Sequence, residues 1–206
     1  MIQDKVKEIK QSFRLQMDGA VAQSMRDKGV DYHLNWGVTL PRLQQMAADY
    51  GKDYDLAIAL WKENVRECKI LATMIMPPEK VLPEVIDIWM EQITTQEIAE
   101  QTAFNLFQHL PYAPEKAYIW MASDKVLYQL CGFHILSRLF QQGREPNERG
   151  INEFIDQALA AIEGPSVAVR KAALNALNHF SSLGLLYERL ADNALRSIGS
   201  ADLPTR

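Results

Sequence analysis

Lys125–Gln142 (KVLYQLCGFHILSRLFQQ), the break Gly143–Asn147 (GREPN), Glu148–Ile162 (ERGINEFIDQALAAI) and Ser166–Ser182 (SVAVRKAALNALNHFSS) decide the fold. In the three long runs apolar residues recur at three- and four-residue spacing, the period of a helix with one buried face. Strand-type alternation is nearly absent. The break holds Gly and Pro and reads as a loop. One helix pair cannot bury its apolar face alone, so such pairs must stack on neighbours.

The pattern continues in both directions. Upstream, a helix is predicted from Ile2 to about Lys28, with Ile2, Val6, Ile9, Phe13 and Met17 on one face and Gly29 as its C-cap. Its other face carries Lys5, Lys7, Lys10 and Arg14, most simply a solvated side. After a turn at Asn35, Trp36 and Gly37, Thr39 caps the next helix and Pro41 falls in its first turn, where no donor is lost. Asp53 and Asp55 suit the start of a helix running to Lys62, and Arg66–Met76 is stopped by Pro77 and Pro78. Glu79–Gln92, with Pro83 early enough to be tolerated, Thr95–Leu110 and Pro114–Met121 follow, and Leu185–Ile198 lies downstream. The tail 199–206 is expected to fray. The sum is about ten or eleven short helices in one domain, 1–206, with pairs recurring at roughly 35 to 45 residues. That spacing fits an all-α, HEAT-like repeat solenoid, an α-α superhelix whose stacking leaves a concave surface, better than a four-helix bundle.

Composition bounds what such a chain can do. At 206 residues, 48% hydrophobic and 23% charged, it is ordinary globular material rather than disordered or low-complexity sequence. Cys68 and Cys131 are the sole cysteines and lie far apart, which leaves neither a disulfide framework nor a Cys-based zinc site. Their apolar helical settings suit small core residues, though their burial stays open. No apolar run reaches the roughly 18 residues of a membrane span, and the charged segment Met1–Lys10 holds no signal core. A cytoplasmic protein without membrane association is expected. A net charge of -4 argues against a dedicated nucleic-acid binder, since phosphate neutralisation supplies most of such affinity. The middle of the chain is acidic as well: residues 79–163 hold 13 Asp plus Glu against 6 Lys plus Arg, which weakens any picture of continuous DNA tracking.

Candidate chemistry is sparse. His33, His109, His134 and His179 are dispersed without metal-ligand spacing, so neither a metal nor another cofactor is expected. No phosphate-binding glycine loop, nucleophile elbow or Cys-His-Asn pattern occurs. Glu97 and Glu100 stand three apart on one helix, where neighbouring carboxylates can shift each other's pKa for acid–base work. A solvated face near a helix start, favoured by the dipole, weighs more heavily. Trp36, Trp61, Trp89 and Trp120 could stack on bases, but core packing is the better account of each; Trp61 and Trp89 follow apolar helical spacing. Arg170 and Lys171 open a late helix, and Arg138, Arg144 and Arg149 surround the Gly143 loop. Each set could bracket a phosphate, with a mixed solvated surface as the commoner alternative.

Several stretches, in order, resemble the AlkD-type DNA alkylation repair family of HEAT-like DNA glycosylases. Trp36–Leu43 (WGVTLPRL) with Met46 and Ala47 resembles the family's entry into its helical array. Leu60-Trp61 and Arg66–Ala72 (RECKILA) resemble its second pair, and Arg170–Ala173 (RKAA) with Ala176-Leu177 its late helix. The resemblance covers about residues 30 to 182. It implies excision of N3- and N7-alkylated purines, cationic bases whose glycosidic bond is already weakened. A carboxylate near the deoxyribose would stabilise the oxocarbenium-like transition state, with tryptophans flanking the sugar, basic residues on the phosphates and no flipped-base pocket. The family's Trp-x-x-x-Asp motif falls on Gln96-Glu97-Ile98-Ala99-Glu100. Gln96 therefore stands for the aromatic and Glu100 for the aspartate. Leu130, in Leu130-Cys131-Gly132, stands where the family has an Arg, and Asn175 where the second aromatic is expected.

Three functions follow. The first is a DNA alkylation repair protein that contacts double-stranded DNA through its concave face, with Arg170 and Lys171 as nucleic-acid-binding residues and weak or absent N3/N7-alkylpurine glycosylase activity. The second is a non-enzymatic HEAT-like scaffold for a protein partner, which the acidic balance and lost aromatics motivate. The third is an active glycosylase in which Glu100 is catalytic.

Overall fold

The computed structural model describes residues 1–30 and 32–201. Of the tail expected to fray, 202–206 lie outside them. Among the described residues there are twelve α-helices and no strand, and no helix is long and apolar enough to cross a membrane. The chain divides into two compact units, Met1–Pro111 and Tyr112–Arg206.

The first unit contains α1 (Ile2–Leu15), α2 (Gly19–Asp27), α3 (Leu40–Tyr50), α4 (Tyr54–Trp61), α5 (Arg66–Ile75), α6 (Pro83–Glu91) and α7 (Gln96–Asn105). α4 packs on α5, and α3, α5 and α7 pack in succession, each on the next but one. That ladder of alternate helices is how a helical repeat buries each apolar face. Val6, Ile9 and Phe13 of α1, Leu56 and Leu60 of α4 and Ile70 and Leu71 of α5 are at most 2% exposed.

The structure differs from expectation mainly at helix ends. The single helix expected over Ile2–Lys28 is two. The Asp18 carboxylate accepts hydrogen bonds from the amides of Ala20 and Val21 at 3.0 Å each, starting a new helix there. Met17, expected on the buried face, is therefore in the break and 64% exposed. Thr39 does precede α3, yet its hydroxyl makes no capping bond. Pro83 opens α6 rather than sitting inside it, and Glu79 falls in a separate 3-10 turn, Pro78–Lys80. α7 stops at Asn105, short of Leu110, and Phe107–His109 forms a 3-10 turn. Asp53, Thr95, Asn147 and Ser166 cap their helices through side-chain oxygens.

The second unit contains α8 (Ala113–Met121), α9 (Val126–Gln141), α10 (Glu148–Glu163), α11 (Val167–Ser181) and α12 (Leu185–Ala201). Here α8, α10 and α12 form one row and α9 and α11 another, and across the rows α8 meets α9, α10 meets α11 and α11 meets α12. Phe140, Phe154 and Phe180 lie within 5.0–5.5 Å of one another by ring centroids, and Tyr187 stands edge-on to Phe180 at 5.1 Å. Such contacts contribute about 0.5–1.5 kcal/mol per pair beyond burial, and here they tie α9, α10, α11 and α12 to one centre. Gly132 sets how closely α8 and α9 approach: a Cβ there would stand 2.4 Å from the Met121 nitrogen and 2.7 Å from the Ala117 oxygen.

Candidate functional site

In the first unit the polar groups converge at the N-termini of α5 and α7. Arg66 is 2% exposed and Glu67 fully buried. A buried cation must be paired, and Arg66 forks onto Glu97: Nε donates to Oε2 at 2.8 Å and Nη2 to Oε1 at 2.6 Å. Its Nη1 donates to the Val38 carbonyl at 3.0 Å and to Glu67 Oε1 at 3.2 Å. The Tyr32 hydroxyl donates to Glu97 and lies 3.1 Å from Thr95 Oγ1. Glu67 Oε1 also accepts from the amides of Trp36 and Val38, at 3.2 Å each, which fixes the 32–38 segment. Burial pushes the Glu97 carboxyl up, but the Arg66 guanidinium and the Tyr32 hydroxyl outweigh it and hold the group below the usual carboxylate range. Burial and then Glu97 push the Tyr32 phenol upward.

Glu97 is thus neither the solvated residue expected from its position nor a free base. It is half of an ion pair that joins two helices and a loop. The sequence held the signal in Arg66-Glu67, two charges directly preceding Cys68, Ile70 and Leu71, all fully buried. What could not be read was the partner, 31 residues away.

Gln96, which occupies the family's aromatic position, is exposed, and Glu100 is half-buried. The structure brings these two together: Gln96 Nε2 donates to Glu100 Oε1 at 2.8 Å. In the second unit Leu130 is 1% exposed and belongs to the core of α9. Asn175 is exposed on α11, and its Nδ2 donates to Ser137 Oγ at 2.9 Å; the same oxygen lies 2.8 Å from His179 Nδ1. Arg170 folds back on the end of α10, Nη2 donating to the Gly164 carbonyl at 2.8 Å, while the neighbouring Lys171 is exposed. A guanidinium at a helix C-terminus complements the dipole, so Arg170 has a structural task in its own unit.

Trp61, Trp89 and Trp120 are 2%, 2% and 3% exposed, as core packing requires. Trp61 and Trp89 stack face to face at 4.1 Å with a 3° interplanar angle, and Lys69 Nζ lies 4.4 Å from the Trp61 ring centre. Trp36 differs: it is half-exposed and tilted against Phe13 at 5.9 Å. Cys68 and Cys131 are free and buried, and burial pushes the Cys68 thiol up to about 12. Among the described residues no group of three or more His, Cys, Asp or Glu is placed to hold a metal ion.

Stacked helix pairs with paired polar groups at their ends define a protein of the helical-repeat class. A family model described as DNA alkylation repair enzyme matches residues 9–183, and the chain belongs to that family. A solved structure described as "a new family of proteins related to the HEAT-like repeat DNA glycosylases with affinity for branched DNA structures" is similar over 92% of this chain and 80% of its own, at a TM-score of 0.79 and 17% identity. The shared fold is therefore the HEAT-like repeat. Comparison with curated proteins finds no match.

Proposed function

We propose that this chain is a DNA-contacting member of the alkylation repair family in which excision of N3- and N7-alkylpurines is weak or absent. One observation carries the proposal: of the four positions that the family resemblance singles out, Glu100 alone presents a group suited to glycosidic chemistry. Its carboxylate is hydrogen-bonded to Gln96, the residue standing where a stacking aromatic would be. A glutamate carries its charge about one methylene further than an aspartate, and a displacement of about 1 Å in a positioned group can cost on the order of 100-fold. Each missing aromatic removes roughly 1 to 3 kcal/mol of stacking. Leu130 supplies no cation for a phosphate. The structural neighbour described as having affinity for branched DNA supports contact with DNA apart from excision.

The test is release of methylated purines from methylated duplex DNA by wild-type protein and Glu100→Gln, run beside binding of duplex and three-way-junction DNA at low and raised salt. Salt-dependent binding with no release is the expected result. Release that disappears in Glu100→Gln would make the protein a working glycosylase. Failure to bind any DNA at low salt would leave a protein scaffold as the remaining function.

A further inference from the structure

α1 carries none of the positions that the family resemblance singles out. We propose that the groove between α1 and the Leu34–Trp36 segment is a nucleotide subsite, in which an unpaired base stacks on Trp36 and phosphates of its strand meet Lys7 and Arg14. This subsite rests on the DNA-contacting role proposed above and gives it a location in the first unit.

The groove has a volume of about 450 Å³ and is lined by Lys7, Lys10, Gln11 and Arg14 of α1 with Leu34 and Trp36 opposite. The four α1 positions follow i, i+3, i+4, i+7 spacing and share one face. Lys10 is neutralised by Glu63 at 2.7 Å. Lys7 and Arg14 are exposed and have no ion-pair partner among the described residues. On a chain of net charge -4 these two unpaired cations are a local excess of the sign that phosphate needs.

The aromatic side of the groove is held in place before any ligand arrives. The Trp36 amide donates to Glu67, its carbonyl accepts from the Asp18 amide at 2.8 Å, and its ring lies against Phe13. Gly37, next in the chain, has φ +74 and presses on α2, where a Cβ would stand 2.2 Å from the Asp18 oxygen. A platform fixed at this many points loses little freedom when a base stacks on it. Lys7 and Arg14 lie about 10 Å apart along the helix axis, a span suited to phosphates of one extended strand. An acidic peptide would meet the same cations without needing the half-exposed indole, whereas a nucleotide uses both.

Fluorescence anisotropy tests this with a labelled three-way junction carrying an unpaired thymidine at its branch. Trp36→Leu should weaken binding about 5-fold or more, while Trp36→Phe keeps most of the affinity. Lys7→Gln combined with Arg14→Gln should lower the slope of log affinity against log salt by about 1.4, roughly 0.7 for each lost phosphate contact on a single strand. The double variant changes only exposed side chains, so its result stands even if Trp36→Leu loosens the fold. Junction binding unchanged in every variant would overturn the subsite and leave the DNA-contacting role intact. Weakening by the cation changes alone would reduce the groove to an electrostatic contact and overturn base stacking. Absence of junction binding in the wild type, with capture of polyglutamate that depends on Lys7 and Arg14, would overturn both.

Discussion

Arg66 shows what one buried charge demands of its surroundings. Its guanidinium is shared between Glu97, Glu67 and a backbone carbonyl, and removing it leaves two carboxylates without their cation. Arg66→Leu should destabilise the protein by about 3–5 kcal/mol, read from the urea midpoint at constant m-value. Acid acts on the same pair. Because Arg66 and Tyr32 hold the folded Glu97 carboxyl below the usual range, the unfolded chain binds more protons than the folded one as pH falls. The contribution is fully present above the ordinary glutamate value of about 4.3 and is lost as pH drops through the lower folded value. Glu97→Gln should flatten that part of the acid unfolding curve; an unchanged acid limb would show that other carboxylates set it.

At the scale of elements, two local devices fix helix positions. Asp18 starts α2 with two capping bonds, and Asp18→Ala should cost about 1 kcal/mol in thermal or urea unfolding. Gly132 permits the close crossing of α8 and α9. Alanine gains up to about 1 kcal/mol in helix propensity over glycine. Here its methyl would meet backbone rather than a movable side chain, so overpacking of about 1–3 kcal/mol should win and Gly132→Ala should unfold at lower urea. A more stable variant would mean that the two helices separate at little cost. These devices also mark what could be read from the chain. Helical period, proline stops and the Gly143 break place most elements, because each depends on neighbours within a turn or two. The division at Asp18 was missed because Ile2, Val6, Ile9, Phe13 and Met17 keep their period across it, and periodicity outweighs a single cap in such a reading. The Arg66–Glu97 pair was missed for a different reason: its partners meet only through folding. The half-exposed indole of Trp36 had a local signal, its place in the Asn35–Gly37 turn, whereas Trp61 and Trp89 follow apolar helical spacing.

At the scale of the molecule, the family match spans both compact units, while stability in a helical repeat is gathered from each helix and its neighbours. Damage to the Arg66 network should therefore be felt unevenly. Arg66→Leu is expected to speed amide hydrogen exchange across α3, α5 and α7 more than across α9 and α11; equal acceleration throughout would point to one cooperative transition. The parallel indoles of Trp61 and Trp89 offer an optical way to follow the first unit. At 4.1 Å their transition dipoles couple, so absorbed light is shared between two rings rather than held by one. The coupling vanishes when the rings part, and Trp120, in the other unit, stands edge-on to Tyr128 at 6.4 Å, a different geometry. The near-ultraviolet circular dichroism of the intact chain thus carries a built-in reporter for residues 1–111, with no label attached.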